Sequence, residues 1–222
     1  MNYKIAIVDD HPVVRKGIKA SLHIYKDVSI IFEASNGFEL LELLKIHKVD
    51  VILLDVKMPK KSGYEALKEI RVSDKLIKIL MFSVHEDAEY VSSMVQAEAN
   101  GYLLKNADPE VIYDAITKVM STGFYINETI NPYILKNMLD QNSQGQEQKA
   151  NSMNFSEREL RVLTLLSEDK STQEIADDIH VGIRSVEKII NEMQKRLDIH
   201  SRLGLVLYAI KNGLVKIKPE GM

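Results

Sequence analysis

Between residues 4 and 121 short apolar runs alternate with amphipathic stretches. The runs predict strands at 4–8, 28–33, 50–54, 77–82 and 101–104, and the stretches predict helices at 12–24, 37–47, 63–72, 87–98 and 109–121. Five β/α units of this length imply an α/β doubly wound parallel sheet of five strands, with helices on both faces and the strand order 2-1-3-4-5. A further amphipathic stretch near 130–139 predicts one more helix.

The pattern then breaks. Residues 140–152, DQNSQGQEQKANS, hold one alanine and no other apolar side chain. Nothing there can be buried to offset the entropy of ordering, so a flexible tether is expected. Beyond it no stretch reads as a strand. FSERELRVLTLLSE opens a helix with Ser156 as N-cap and Glu159 three residues on, and STQEIADDIH opens a second, capped by Ser171 or Thr172. IRSVEKIINEMQKRLDI is a third and SRLGLVLYAIKNG a fourth, ending at Gly213. Two domains are therefore expected, residues 1–127 and 153–222, joined by a connecting helix and polar linker at 128–152. The second is a small all-α domain.

A chain of 222 residues can bury two such cores. With no cysteine it offers neither a disulfide framework nor a thiolate metal site, and its six histidines show no ligand spacing. The sequence lacks a secretory leader pattern and an apolar run of spanning length, so a soluble cytoplasmic protein without a membrane partner is expected. The net charge of −3 does not advertise nucleic-acid binding, and residues 151–222 hold 11 basic against 11 acidic side chains. Any surface for a polyanion must come from local clustering.

In a parallel sheet the carboxyl ends of the strands share one edge, and ligands bind in the crevice outside it. Four apolar runs end there in reactive groups: KIAIV in Asp9 and Asp10, DVILL in Asp55, IKILMF in Ser83, and GYLL in Lys105. Clustered carboxylates repel one another unless a hard cation lies between them, and Mg²⁺ is commonly held by one or two carboxylates with waters and a phosphate oxygen. A lysine opposite them neutralises phosphoryl oxygens as a point charge. A remaining carboxylate can act as a nucleophile toward phosphorus. Asp55 suits that role because it stands alone at the middle of the sheet, whereas Asp9 and Asp10 form a pair suited to the metal. Taken singly, each residue has a bland reading, a solvated loop acid or a snorkelling lysine; the combination is what points to phosphoryl chemistry.

At these residues the chain resembles the receiver domain of bacterial two-component response regulators, a flavodoxin-like fold. The match lies at IVDDH (7–11), LLDVKMP (53–59), FSVHED (82–87) and GYLLK (101–105), in the family's order. The resemblance implies that Asp55 accepts a phosphoryl group from a histidine kinase. It implies that Asp10, Asp55 and the backbone carbonyl of Lys57 bind Mg²⁺ with Asp9 in support, and that Ser83 and Lys105 bind phosphoryl oxygens. Tyr102 resembles the family's switch aromatic, with an ordinary packed tyrosine as the alternative. After Pro59 the loop reads KKSG, and Ser62 stands where the family often has an acid.

On the third predicted helix of the second domain, Val186, Ile190, Met193 and Leu197 form one apolar stripe. The opposite face carries Arg184, Lys188, Asn191 and Lys195, three cations and an amide able to meet phosphates and base edges in a major groove. Glu187 and Glu192 flank this row and are expected to repel misplaced phosphates. A basic face alone is usually solvated. Here it follows a short helix containing QEIAD and a turn at His180, Val181 and Gly182, which is the order of a helix-turn-helix.

Residues 153–218 are similar to the LuxR-type DNA-binding domain through FSERELRVLTLLSEDKSTQEIADDI, SVEK and LDIHSRLGLVLYAIKNGLV. Gly182 stands where that family often has a serine cap, and Ile189 where it often has a histidine. Together the two resemblances imply a NarL/FixJ-type response regulator, not itself an enzyme beyond its own phosphoryl transfer and dephosphorylation. They also imply a cognate histidine kinase, DNA with two half-sites, and a homodimer upon phosphorylation. Rival readings are a Mg²⁺-dependent aspartyl-phosphate phosphohydrolase and a scaffold or DNA-binding protein that is never phosphorylated. The hydrolase would need an acid or base near its substrate, and the position two residues after Asp55 is Lys57.

Overall fold

The computed structural model describes residues 2–84, 93–94, 96–125 and 155–215. Strands β1 (Tyr3–Val8), β2 (Val28–Ala34), β3 (Val51–Asp55), β4 (Lys78–Ser83) and β5 (Gly101–Leu104) pair in parallel in the order β2-β1-β3-β4-β5. This is the order expected from the sequence. Between and after them run α1 (Pro12–Leu22), α2 (Gly37–Leu44), α3 (Gly63–Ser73) and α4 (Pro109–Ser121).

Successive strand side chains point to opposite faces, and the two apolar clusters sort accordingly. Ala6, Val8, Ile52, Leu54, Ile79 and Met81 pack with α2 and α3 through Leu40, Leu67 and Ile70. Ile5, Ile7, Val51, Leu53, Leu80 and Phe82 pack with α1 and α4 through Ile18, Leu22, Ile112 and Ile116. Both faces of β3 are covered, which is why its sequence is continuously apolar.

α1 and α2 end two and three residues before their predicted limits. After α1, Tyr25 N donates to Leu22 O and turns the chain toward β2; after α2, Lys45 N and Ile46 N bond three residues back, so the last turn tightens and stops. The helix predicted at 87–98 lies mostly outside the described residues, of which 93, 94 and 96 are helical. The helix at 130–139 and the tether at 140–152 lie wholly outside them.

The second unit consists of α5 (Glu157–Ser167), α6 (Thr172–Asp178), α7 (Ile183–Leu197) and α8 (Arg202–Lys211). Ser156 and Ser171 close complete capping boxes with Glu159 and Glu174. Each such cap is worth about 1 kcal/mol, and Ser171 rather than Thr172 starts α6. The turn between α6 and α7 takes His180 through φ 55° and bonds Val181 N to Ala176 O. Val186, Ile190 and Met193 are at most 1 % exposed, while Leu197 is half-buried at the end of the stripe. No described helix is long and apolar enough to cross a membrane.

Candidate functional site

Sheet register brings the predicted residues to one edge. Val8 pairs with Leu54, Asp55 with Phe82, and Ser83 with Leu104, so Asp9, Asp10, Asp55, Ser83 and Lys105 emerge side by side. Arg15 Nη1 donates to Asp9 O at 2.6 Å and fixes the loop after β1. Beyond β3, Gly63 lies so close to the strand end that a Cβ there would fall 1.9 Å from Asp55 O. Only glycine lets α3 begin against Asp55, and Ser62 caps that helix in a full capping box with Glu65. The serine that departs from the receiver pattern thus does a local job, ordering the end of the loop that follows Asp55.

Lys105 Nζ lies 2.6 Å from Asp9 Oδ2 and 2.8 Å from Asp55 Oδ2. Asp9 is 1 % and Asp55 4 % exposed. Burial raises the Asp55 carboxyl above the ordinary aspartate range, against the lowering effect of the Lys105 hydrogen bond. Burial also disfavours the Lys105 ammonium, but the close Asp55 and Asp9 carboxylates outweigh it and hold that lysine above its ordinary value. The ammonium is therefore a fixed positive charge.

Asp10 extends the cluster, and one ligand atom from each of Asp9, Asp10, His11 and Asp55 falls within 4.8 Å of all the others. Asp9 Oδ2 and Asp10 Oδ1 are buried without an aligned hydrogen bond, although Lys105 Nζ and His11 Nδ1 lie 2.6 and 2.7 Å from them. Three carboxylates thus face one lysine. Oxygen donors in excess of the available positive charge are what a hard divalent cation satisfies, so this acidic cluster could hold a metal.

Ser83 is buried at the end of β4, where its carbonyl accepts from Lys105 N at 2.7 Å. Lys57 N donates to Asp55 Oδ1 at 3.4 Å, which turns that backbone N–H toward the carboxylate. Tyr102 is 4 % exposed and belongs to the apolar cluster on the same face of the sheet as Ile79 and Met81.

In the helical unit Arg184, Lys188, Asn191 and Lys195 are all exposed and line one open hollow with Glu187 and Glu192. Lys188 Nζ stands 3.7 Å from Glu192 Oε1, an exposed pair of little energetic weight. Glu187 and Glu192 both flank the row, but Glu187 is tied to its own domain, since Arg202 Nη2 donates to its Oε1 at 2.6 Å. Ile189 is half-buried against the core at the margin of the helix face, and Gly182 caps α7 without a side-chain bond.

Two contributors escaped the sequence reading. His11 was legible in principle, since it directly follows the acid pair and its backbone N donates to Asp9 Oδ1 at 2.8 Å. Arg202 carried no local signal, because its partners lie 15 to 80 residues away.

Comparison with known proteins agrees with both halves of this geometry. Residues 5–117 match the response regulator receiver domain, and residues 153–209 match the luxR family of bacterial regulatory proteins. The chain is 33 % identical to the oxygen regulatory protein NreC of Staphylococcus carnosus, over 96 % of this chain and 99 % of the relative. It is 30 % identical to the response regulator UvrY of Escherichia coli, over 95 % and 94 %. Among solved structures it is similar in fold to the RcsB response regulator of Salmonella typhimurium, with a TM-score of 0.57 and 21 % identity over 94 % of this chain and 100 % of that one. With a receiver match followed by a luxR-type match, and relatives that align along almost their whole length, the chain belongs to the response regulators of the NarL/FixJ type.

Proposed function

We propose that this chain is a phosphorylation-controlled transcription regulator of a two-component system. Asp55 takes a phosphoryl group from a cognate histidine kinase, and the phosphorylated protein binds DNA as a homodimer on two half-sites. The observation that carries this reading is the pocket itself: a buried carboxylate at the central strand end, held 2.8 Å from Lys105 and beside two further acids. Asp10, Asp55 and the Lys57 carbonyl would hold Mg²⁺ with Asp9 in support. The cation supplies neutralisation of the negative charge that a phosphoryl donor brings. The chain's own residues do the rest. Asp55 is the nucleophile, Lys105 draws a phosphoryl oxygen, and the Ser83 hydroxyl is the group that a phosphoryl on Asp55 would engage.

Residues 1–127 are assigned to the receiver, 128–152 to the connection and 153–222 to DNA binding. The protein acts in the cytoplasm and catalyses nothing beyond its own phosphoryl transfer and loss. Tyr102 is the switch aromatic, its buried ring moving into the space that Ser83 frees as its hydroxyl turns toward the phosphoryl group.

Incubation of the full chain with acetyl phosphate and Mg²⁺, followed by intact mass measurement, tests the reading. A single stable phosphoryl adduct is expected, with Asp55 as its site. No adduct supports the scaffold, and rapid turnover of the donor supports the hydrolase. Ser83→Ala should still gain the adduct but dimerise poorly in response; full phosphorylation-dependent dimerisation would remove Ser83 from the switch.

A further inference from the structure

The geometry points to a docking surface for the chain's own helical domain at the turn after α4, with Arg202 as the clip that fastens the recognition helix to the receiver while leaving its reading face open. Arg202 begins α8 and is 17 % exposed. Its Nη1 donates to Thr122 O at 2.7 Å in the receiver and to Thr172 Oγ1 at 2.9 Å at the start of α6, while Nη2 donates to Glu187 Oε1 at 2.6 Å on α7. One guanidinium therefore joins the receiver to both helices of the helix-turn-helix. Its planar fork suits such divided recognition, which a lysine could not reproduce.

The receiver side is built to accept it. Thr122 is 2 % exposed, and its Oγ1 donates to Phe124 O at 2.7 Å. Gly123 follows at φ +92°, and a Cβ there would fall 2.9 Å from Arg202 Cδ. Asn100 Nδ2 holds Gly123 O at 2.8 Å, and Asn100 Oδ1 in turn accepts from the buried Arg71 Nη2 at 2.7 Å and from Ile79 N at 2.9 Å. The turn is thus keyed to the start of β4, so the carbonyl that meets Arg202 has a fixed place. A second contact lies beside the first, Lys118 Nζ on α4 at 3.7 Å from Asp169 Oδ2 between α5 and α6.

The docked arrangement does not cover the residues assigned to DNA, since Arg184, Lys188, Asn191 and Lys195 remain exposed. The clip accordingly acts on where the recognition helix is held. A single half-site is open to the docked protein. A pair of half-sites, whose centres lie about 34–36 Å apart, is bound only when the two receivers set their helices at that spacing or release them. This part of the inference rests on the proposed DNA-binding role of α7; the clip itself does not.

The chain has no cysteine, so Val72→Cys and Arg158→Cys, at exposed positions of the receiver and of α5, can carry a pair of spin labels in the full-length protein. One narrow distance distribution is expected. Arg202→Gln and, from the receiver side, Gly123→Ala should each broaden it toward longer distances. Lys118→Glu, which sets an acid against Asp169 across the contact and gives up an exposed pair with Asp114 on its own helix and a loose contact with the Tyr125 ring, leaves the backbone of the turn in place and serves as a third opening variant. Gly123→Ala and Lys118→Glu should leave affinity for a single half-site duplex within about twofold, the scatter expected when no contact is lost. Distances that stay narrow in all three variants would overturn the clip. An increase of about tenfold (1.4 kcal/mol) or more in single half-site affinity on opening would show that the receiver covers the reading face, and would overturn the open docking. If no variant binds any duplex, the DNA-binding reading fails while the distance measurements still decide the clip.

Discussion

In the receiver pocket Asp9 and Asp55 are 1 % and 4 % exposed and share one lysine, whereas on α7 Lys188 is 76 % exposed and leans only loosely toward Glu192. Both regions gather like charges, but in the pocket the protein supplies part of the opposing charge through a buried lysine and on the helix it leaves most of it to a partner. The difference follows from the roles proposed for each. A nucleophile needs its attacking oxygen fixed in a dry, oriented setting before the donor arrives. A nucleic-acid surface gains from charges that remain hydrated until phosphates replace the water and release counterions. Burial costs a carboxylate heavily unless it is paired, so the pocket had to be assembled from several strand ends, while one amphipathic helix suffices for the face.

Breaking the pocket should have the largest effect. Asp55→Asn keeps the shape and removes the proposed nucleophile, so the phosphoryl adduct should disappear entirely from the intact mass spectrum. An adduct formed at the wild-type rate and mapped to another residue would mean that the buried pocket is not the reactive one. On the helix, Asn191→Ala should lower discrimination at one base position by about 1–3 kcal/mol, read from a panel of single-base operator variants. Uniform weakening across the panel would place Asn191 on the backbone instead.

Lys195, near the end of α7 and exposed, should behave in the opposite way. Lys195→Ala should weaken binding to all sequences alike and reduce the slope of log affinity against log salt by about one. A slope that does not move would leave Lys195 outside the interface. The smallest expected change sharpens the comparison from the side of folding. Gly182 caps α7 without a side-chain bond, and a Cβ there would meet nothing within 4 Å. Gly182→Ser should then stabilise the helical unit by a few tenths of a kcal/mol in urea unfolding; a loss of stability would show that the turn needs glycine for another reason.

The sequence by itself determined what depends on short spacings. Capping boxes at Ser156 and Ser171 are three-residue patterns, the stripe Val186, Ile190 and Met193 is a helical period, and the five-strand alternation carries its own topology. The acidic strand ends were legible for the same reason, because parallel strands must finish on a common edge. Tertiary structure decided which charges meet across that edge and between the two units. Lys105 reaches Asp9 and Asp55 rather than Asp10, although Asp9 and Asp10 are neighbours, because successive residues at a strand end point in different directions. Tyr102 is buried, as a residue of an apolar run on a sheet covered on both faces is expected to be. Glu187 found its partner in Arg202, and Arg202 found Thr122, 80 residues away. Such pairings are fixed by sheet order, helix placement and a glycine turn to within about an ångström, and hydrogen bonds fail beyond that tolerance.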